Sequence, residues 1–207
     1  MVHHVPVPSY FAIESLASVQ ILRLTSNDGA NRLTHVCVVE ISAAIDELKK
    51  PAMPLIIAGN PRYFSVGADL NEIRLLSGPD ALEFARLGQS LMQALENYPA
   101  TTIAAIEGHC MGGGLDLALA CHRRIAAPNA IFGHRGAALG LITGWGGTQR
   151  LPRLIGKGRA LELFVAAERI SAARALEIGL VDAIADDPLA EALRRFASSR
   201  TAIGQAE

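Results

Sequence analysis

The sequence predicts an α/β fold with mainly parallel strands, and three observations carry that expectation. Short, wholly apolar runs such as Leu55 to Ala58 alternate with longer segments whose apolar residues recur at helical spacing, the pattern of strands buried on both faces under helices. Half of the 207 residues are apolar and only 19% are charged, which supplies a core and excludes an intrinsically disordered chain. The length suits one domain of roughly 100–200 residues with at most a small appendage. We read residues 1–18 as an N-terminal extension, 19–200 as the domain and 201–207 as a tail.

In chain order, residues 19–25 (VQILRLT) read as a strand closed by the turn-rich stretch 26–29. Thr34 can cap a helix running to about residue 50, with Val38, Ile41, Ile45 and Leu48 on one face and Pro51 and Pro54 stopping it. Residues 55–58 then form a short buried strand. After a loop through Phe64 to Asp69, Pro79 starts a second long helix that places Phe84, Leu87, Leu91 and Leu95 at helical spacing. Residues 101–106 (TTIAAI) are another buried strand, followed by Gly108, the glycine triplet 112–114 and a short apolar helix over 115–121. Beyond Arg150 the pattern is helical: 158–167, then Ser171 as N-cap to Gly179 as stop, a strand over 180–184, and a last helix from Pro188 to about Arg200.

Charge and cysteine usage narrow the function classes. Nineteen Lys plus Arg against twenty Asp plus Glu give a net charge of −1, without the basic excess that phosphate backbones select; no nucleic-acid partner is expected. The greasiest stretch, 101–120, is interrupted by Glu107, His109 and Asp116, so no membrane span is expected. The first ten residues have neither a basic start nor an apolar run of the kind a secretory signal needs. Cys37, Cys110 and Cys121 form neither an even framework nor a CxxC pair, which points to a reducing, cytoplasmic compartment and to no structural metal.

Glycine marks where chemistry would lie. Ten of the nineteen glycines (108, 112, 113, 114, 133, 136, 140, 144, 146 and 147) fall in one window, where backbone must approach something closely. In the step from Ile106 through Gly112-Gly113-Gly114 to Asp116, glycines permit positive φ and let first-turn amides reach a ligand oxygen at the positive end of the helix dipole. Such donors suit an oxygen that becomes negative during reaction; close packing of helix on strand is the alternative use of the same glycines. The glycines are consecutive rather than GxGxxG, and no acid follows in Arg123 to Pro128, which excludes a dinucleotide site. GxxxxGK[ST] and GxSxG strings are also missing. The Gly67-Ala68-Asp69 step lies between a strand and a helix, so a second amide can point into the same crevice, and two such donors make an oxyanion hole.

Taken together, Phe64-Ser65-Val66-Gly67-Ala68-Asp69-Leu70, the Gly112 to Leu117 turn, Gly146-Gly147-Thr148-Gln149-Arg150-Leu151-Pro152-Arg153, and Arg169-Ile170-Ser171-Ala172 through Gly179-Leu180-Val181 resemble the crotonase superfamily, the enoyl-CoA hydratase/isomerase family. The resemblance covers residues 19–193. It implies the ββα-repeat ClpP/crotonase fold with a shortened C-terminal helical region, and the acyl-CoA chemistry of fatty-acid metabolism. Coenzyme A would enter as part of the substrate, with no tightly bound cofactor. By motif position the thioester carbonyl would be held by the amides of Ala68 and Gly113. Ser65, Val66, Gly67, Ala68, Asp69 and Leu70 would lie along the CoA, met largely through backbone atoms, with Gly112, Gly113, Gly136 and Trp145 completing the binding set. The resemblance also implies a homo-oligomer, a trimer or hexamer, although little chain follows residue 200 to form the C-terminal helices that build it.

The sequence departs from the family pattern at its acids. The first family glutamate is Asp116, one C–C bond shorter, which can act on protons or serve as a first-turn acid favouring the dipole. The second falls on Gly136. Dihydroxynaphthoyl-CoA synthases also have glycine there, with an aspartate further along where this chain has Thr143. His134 is the nearest group with a suitable pKa, and Arg135 could hold a carboxylate or phosphate; both also fit an ordinary loop pair. His109 and Cys110 read as packing residues, and Trp145 as a pocket wall. Hydration of a 2-enoyl-CoA is the default activity. A CoA-thioester decarboxylase or C–C lyase, and a catalytically degenerate CoA-binding paralogue, are the alternatives that the missing acid leaves open.

Overall fold

The computed structural model describes residues 10–27 and 29–203. Of the expected extension and tail, residues 1–9 and 204–207 lie outside the described residues. The chain runs through β1 (Phe11–Ser15), β2 (Gln20–Leu24), β3 (Arg32–Leu33), α1 (His35–Leu48), β4 (Leu55–Ala58), β5 (Tyr63–Ser65), β6 (Gly67–Ala68), α2 (Leu70–Ile73) and α3 (Gly78–Glu96). It continues through β7 (Thr102–Ile106), β8 (His109–Met111), α4 (Gly113–Ala120), β9 (Arg123–Ala126), β10 (Ile131–Gly133) and a 3-10 turn (Ala137–Leu139). The remainder is α5 (Gly147–Ile155), α6 (Lys157–Ala166), β11 (Ile170–Ser171), α7 (Ala172–Glu177), β12 (Ala183–Ile184) and α8 (Pro188–Ile203).

The main sheet has the order β1-β2-β4-β7-β9-β12, and every neighbouring pair except β1 with β2 is parallel. Successive residues of β4 serve opposite faces, as the two-residue strand period requires. Leu55 and Ile57 join the large core packed under α1 and α3, while Ile56 and Ala58 join a smaller core closed by Ala192 and Phe196 of α8. β7 does the same with Ala104 and Ile106 against Ile103 and Ala105. That is why both strands read as continuous apolar runs. A second, four-stranded sheet has the order β11-β10-β8-β5, and β3 pairs with β6. Three times the chain steps from a main-sheet strand to a short strand of the second sheet and on to a helical segment, β4-β5 (with β6 between it and α2), β7-β8 and β9-β10, which is the expected ββα repeat.

Several boundaries differ from expectation for local reasons. The sheet starts at Phe11, inside the stretch set apart as an extension, because Phe11 to Ser15 pair antiparallel with β2. The long helix begins at Ser77, which closes a capping box with Asp80, two residues before Pro79. β5, β6, β8 and β10 have two or three residues each, too few to display a period, and β9 opens on two arginines. Arg124 is nonetheless buried, donating to Leu180 O and Cys121 O and pairing with Asp182. α5 was hidden by Gly147 at its start and Pro152 inside it, and the expected strand over 180–184 shortens to β12.

Candidate active site

A cavity of about 720 Å³ opens between α3, the N-terminus of α4 and the loop from His134 to Trp145. Its polar end is built from two backbone segments. Buried Asn31, at φ 53°, donates from its side-chain amide to the carbonyls of Tyr63 (2.9 Å) and Phe64 (3.1 Å), while its own carbonyl accepts from the Ser65 hydroxyl at 2.7 Å. The Ser65 oxygen in turn accepts from the Gly67 amide at 3.0 Å. This brace carries the chain into Gly67 at φ 86°, where a Cβ would stand 2.7 Å from Gly113 N. A Cβ on Gly113 would stand 3.4 Å from Ala68 N. The two segments therefore abut, and Ala68 and Gly113 both line the cavity. Gly113 is the first residue of α4, so no helical carbonyl lies in front of its amide, and the dipole favours a negative oxygen there.

Trp145 forms the adjacent wall. Its indole nitrogen donates to Phe84 O at 3.3 Å and its ring meets Phe84 edge-on, 5.2 Å between centroids. The same ring fills the space that side chains on Gly88 and Gly113 would need. Leu70, Ile73, Leu76, Phe84 and Leu141 also line the cavity and make much of its wall apolar.

Asp116, in the first turn of α4, is 1% exposed and faces this cavity. Burial pushes its carboxyl up to about 7; the Thr143 hydroxyl, the positive charge of Arg150 and the nearby Gly147 amide pull in the opposite direction. Thr143 donates to Oδ2. Oδ1 has no hydrogen-bond partner and lies 3.4 Å from Nε2 of His134, which also has none. His134 is 4% exposed, and burial pushes it down to about 4. Gly147 must be glycine, since a Cβ there would overlap Asp116 Oδ1. Arg150 is itself tied to Glu96 at 2.6 Å and to the Trp145 carbonyl.

Not every expected residue reaches the cavity. Val66, Ala68, Leu70, Gly112, Gly113, Gly136 and Trp145 line it together with Asp116 and His134. Ser65, Gly67 and Asp69 do not line it: Ser65 and Gly67 belong to the brace, and Asp69 caps α2 by accepting from Asn71 N at 2.7 Å. Gly136 accepts from the amides of Leu139 and Leu141, both at 2.8 Å. A Cβ on it would lie 2.7 Å from Leu141 O, so the turn itself excludes an acid there. Arg135 and Arg169 stand exposed at the rim. Cys110 is buried packing with its Sγ on Gly114 O, whereas His109 stacks on Tyr63 and lines the cavity. Sequence reasoning missed three contributors. Thr143, noted only as the place where relatives carry an acid, and Gly147, noted only within a motif, meet Asp116 through the fold, and Asn31 lies just past the turn-rich stretch 26–29 with no local signal of its own. Among the described residues no group of three or more His, Cys, Asp and Glu could hold a metal ion, and no helix is long and apolar enough to cross a membrane.

The model of the family described as Enoyl-CoA hydratase/isomerase matches residues 14–202. The chain belongs to this family. It is 45% identical over 164 residues to a Bacillus subtilis (strain 168) protein named "Probable enoyl-CoA hydratase", covering 78% of this chain and 64% of that one. It is 37% identical over 171 residues to a crotonyl-CoA hydratase of Syntrophomonas wolfei, covering 83% and 66%. The chain thus spans a little under two thirds of these relatives' length. Among solved structures, Pseudomonas aeruginosa DspI superposes with a TM-score of 0.88 at 32% identity, covering 96% of this chain and 77% of that one. The enoyl-CoA hydratase of Bacillus anthracis superposes with a TM-score of 0.87 at 33% identity, covering 92% and 76%. The architecture is the crotonase fold of these family members.

Proposed function

We propose that the protein is an acyl-CoA enzyme whose reaction is the hydration of a 2-enoyl-CoA. The observation that carries this reading is the placement of one buried carboxyl, Asp116, in the same cavity as the abutting amide segments of Ala68 and Gly113. The two N–H groups donate to the thioester oxygen. The Asp116 carboxylate takes a proton from water as the water oxygen bonds to Cβ of the enoyl group. The double-bond electrons move onto the thioester oxygen, and the enolate is held by the two amides. Asp116 then returns the proton to Cα, so that H and OH have added across the double bond and the carboxylate is restored. The apolar side chains of Leu70, Ile73 and Phe84 that line the cavity accept the acyl chain. In this reading CoA is part of the substrate and no further cofactor takes part. The protein works in the cytoplasm as a homo-oligomer, a trimer or hexamer, with neither nucleic acid nor membrane as partner.

The test is crotonyl-CoA hydration by the wild type and by Asp116→Asn. A fall of at least about 100-fold in kcat is expected on removal of the proton carrier; unchanged hydration assigns the base elsewhere. The turn that excludes an acid at Gly136 favours a second reading, loss of CO2 from a malonyl-type thioester, which needs the amides and fewer acids. Steady decarboxylation of malonyl-CoA without hydration selects it. Calorimetric CoA binding with no turnover of enoyl, malonyl or hydroxyacyl thioesters selects a degenerate binding protein.

A further inference from the structure

The family's second acid has no place in this chain, yet the cavity holds a second polar group where the reaction needs one. We propose that Nε2 of His134 and Oδ1 of Asp116 together hold the reacting water, His134 serving as the neutral acceptor that orients it and Asp116 as the carrier of its proton. This rests on the hydratase reading above. Buried polar atoms in native structures are almost always paired, and one that is not calls for an explanation such as a catalytic role or a water. Here two such atoms face each other, Oδ1 and Nε2, 3.4 Å apart on side chains 1% and 4% exposed. Both side chains line the cavity that Ala68 and Gly113 share.

The geometry fixes the division of labour. Thr143 already donates to Oδ2, which leaves Oδ1, buried and without a donor, as the carboxylate oxygen with an acceptor site to spare. A water molecule has two hydrogens, and with one on Oδ1 and the other on Nε2 its oxygen lone pairs are left for the substrate carbon. The imidazole stays neutral in both directions of the reaction. It gains and loses no proton, and the only transferred proton goes from water to Asp116 and on to Cα. In the reverse direction the single hydrogen of the β-hydroxyl of a 3-hydroxyacyl thioester is accepted by Nε2, and Asp116, having taken the α-proton from Cα, delivers it to the departing oxygen, which leaves as water. His134 is held for this task by its neighbour Gly133 in β10, by the Phe164 ring 5.2 Å away, and by Gly147, whose missing Cβ would lie 3.1 Å from Nε2.

Two readouts on one protein separate this role from a structural one. Hydration of crotonyl-CoA needs the water. Exchange of the α-hydrogens of butyryl-CoA in D2O, followed by NMR, needs only Asp116 and the two amides. His134→Leu is expected to lower kcat for hydration about 100-fold, the scale of a misplaced reactant, while exchange stays within about threefold of wild type. His134→Gln, which keeps an acceptor, is expected to hydrate within about tenfold of wild type. Hydration by His134→Leu within threefold of wild type overturns the inference and leaves the hydratase reading standing. Parallel loss of hydration and exchange also overturns it, because His134 is then structural. A wild type that neither hydrates nor exchanges overturns the hydratase reading itself. Should His134→Leu not fold, His134→Gln and His134→Asn carry the test. The shorter Asn is expected to hydrate about tenfold more slowly than Gln at equal exchange, and equal hydration by the two overturns the inference.

Discussion

Asp116 must be ionised to take a proton, in a place that resists ionisation. Burial lifts its carboxyl from 3.8 to about 7, so kcat/KM for hydration should rise about tenfold per pH unit up to about 7 and level off above it; a flat profile between pH 5 and 8 would contradict the assignment. The same shift fixes a stability effect and its sign. A folded-state value above the unfolded one means that the protonated form is the one the fold prefers. The contribution of this group is therefore complete below about pH 4 and is lost as pH rises through about 7. About three units at 1.36 kcal/mol each is about 4 kcal/mol. Asp116→Asn escapes that loss, so urea unfolding at pH 8 should show the variant more stable by up to about 4 kcal/mol, with the gain gone at pH 4. His134 pulls in the opposite sense: its value, pushed down to about 4, gives stability that is present above 6.5 and lost as pH falls through 4. Legibility at this scale was uneven. Asp116 could be found from its place three residues after Gly113. Thr143 could not, because it meets the carboxyl across 27 residues of sequence.

Among the elements, the brace around Asn31 and the start of α5 decide whether the site is assembled. Asn31→Ala removes the side-chain donor to the carbonyls of Tyr63 and Phe64, of which Tyr63 keeps the Asn60 amide. It should destabilise the protein by about 1–3 kcal/mol and, by releasing the turn that carries Ala68, lower kcat more than it raises KM. Chemical denaturation and steady-state kinetics check both, and a loss confined to KM would show that Ala68 does not depend on the brace. Gly147→Ala drives a methyl into Asp116 Oδ1. Its expected phenotype is a loss of hydration of about 100-fold or more with CoA affinity retained, since the clash lies at the carboxyl rather than along the CoA. The long helices and apolar strands were legible because their periods repeat over many residues. Thr34 as N-cap of α1 and Ser171 as N-cap of α7 follow from local chemistry alone, and both side chains do accept the amide three residues on. The short strands β5, β8 and β10 exist only because the second sheet pairs them, and β6 because β3 does, and no local signal encodes a partner tens of residues away.

On the scale of the whole molecule, the fold brings the ends of two ββα units together. One unit delivers Ala68 after β4 and β5, and the next delivers Gly113 and Asp116 after β7 and β8. The parallel pairing of β4 with β7 and of β5 with β8 sets their spacing. This is why the Gly67-Ala68-Asp69 step and the Gly112 to Asp116 turn, 45 residues apart in sequence, could be read as facing one crevice. It is also why the departure at Gly136 could be seen in sequence but not explained: the turn that forbids a side chain there is made by Leu139 and Leu141. The central claim is that the amides of Ala68 and Gly113 hold a thioester oxygen beside Asp116. A crystal structure with acetoacetyl-CoA tests it most directly. The account predicts the thioester oxygen about 3 Å from both nitrogens, with the acyl carbons between them and Asp116. A thioester oxygen bound elsewhere in the cavity, or either amide bonded within the protein instead, would contradict it.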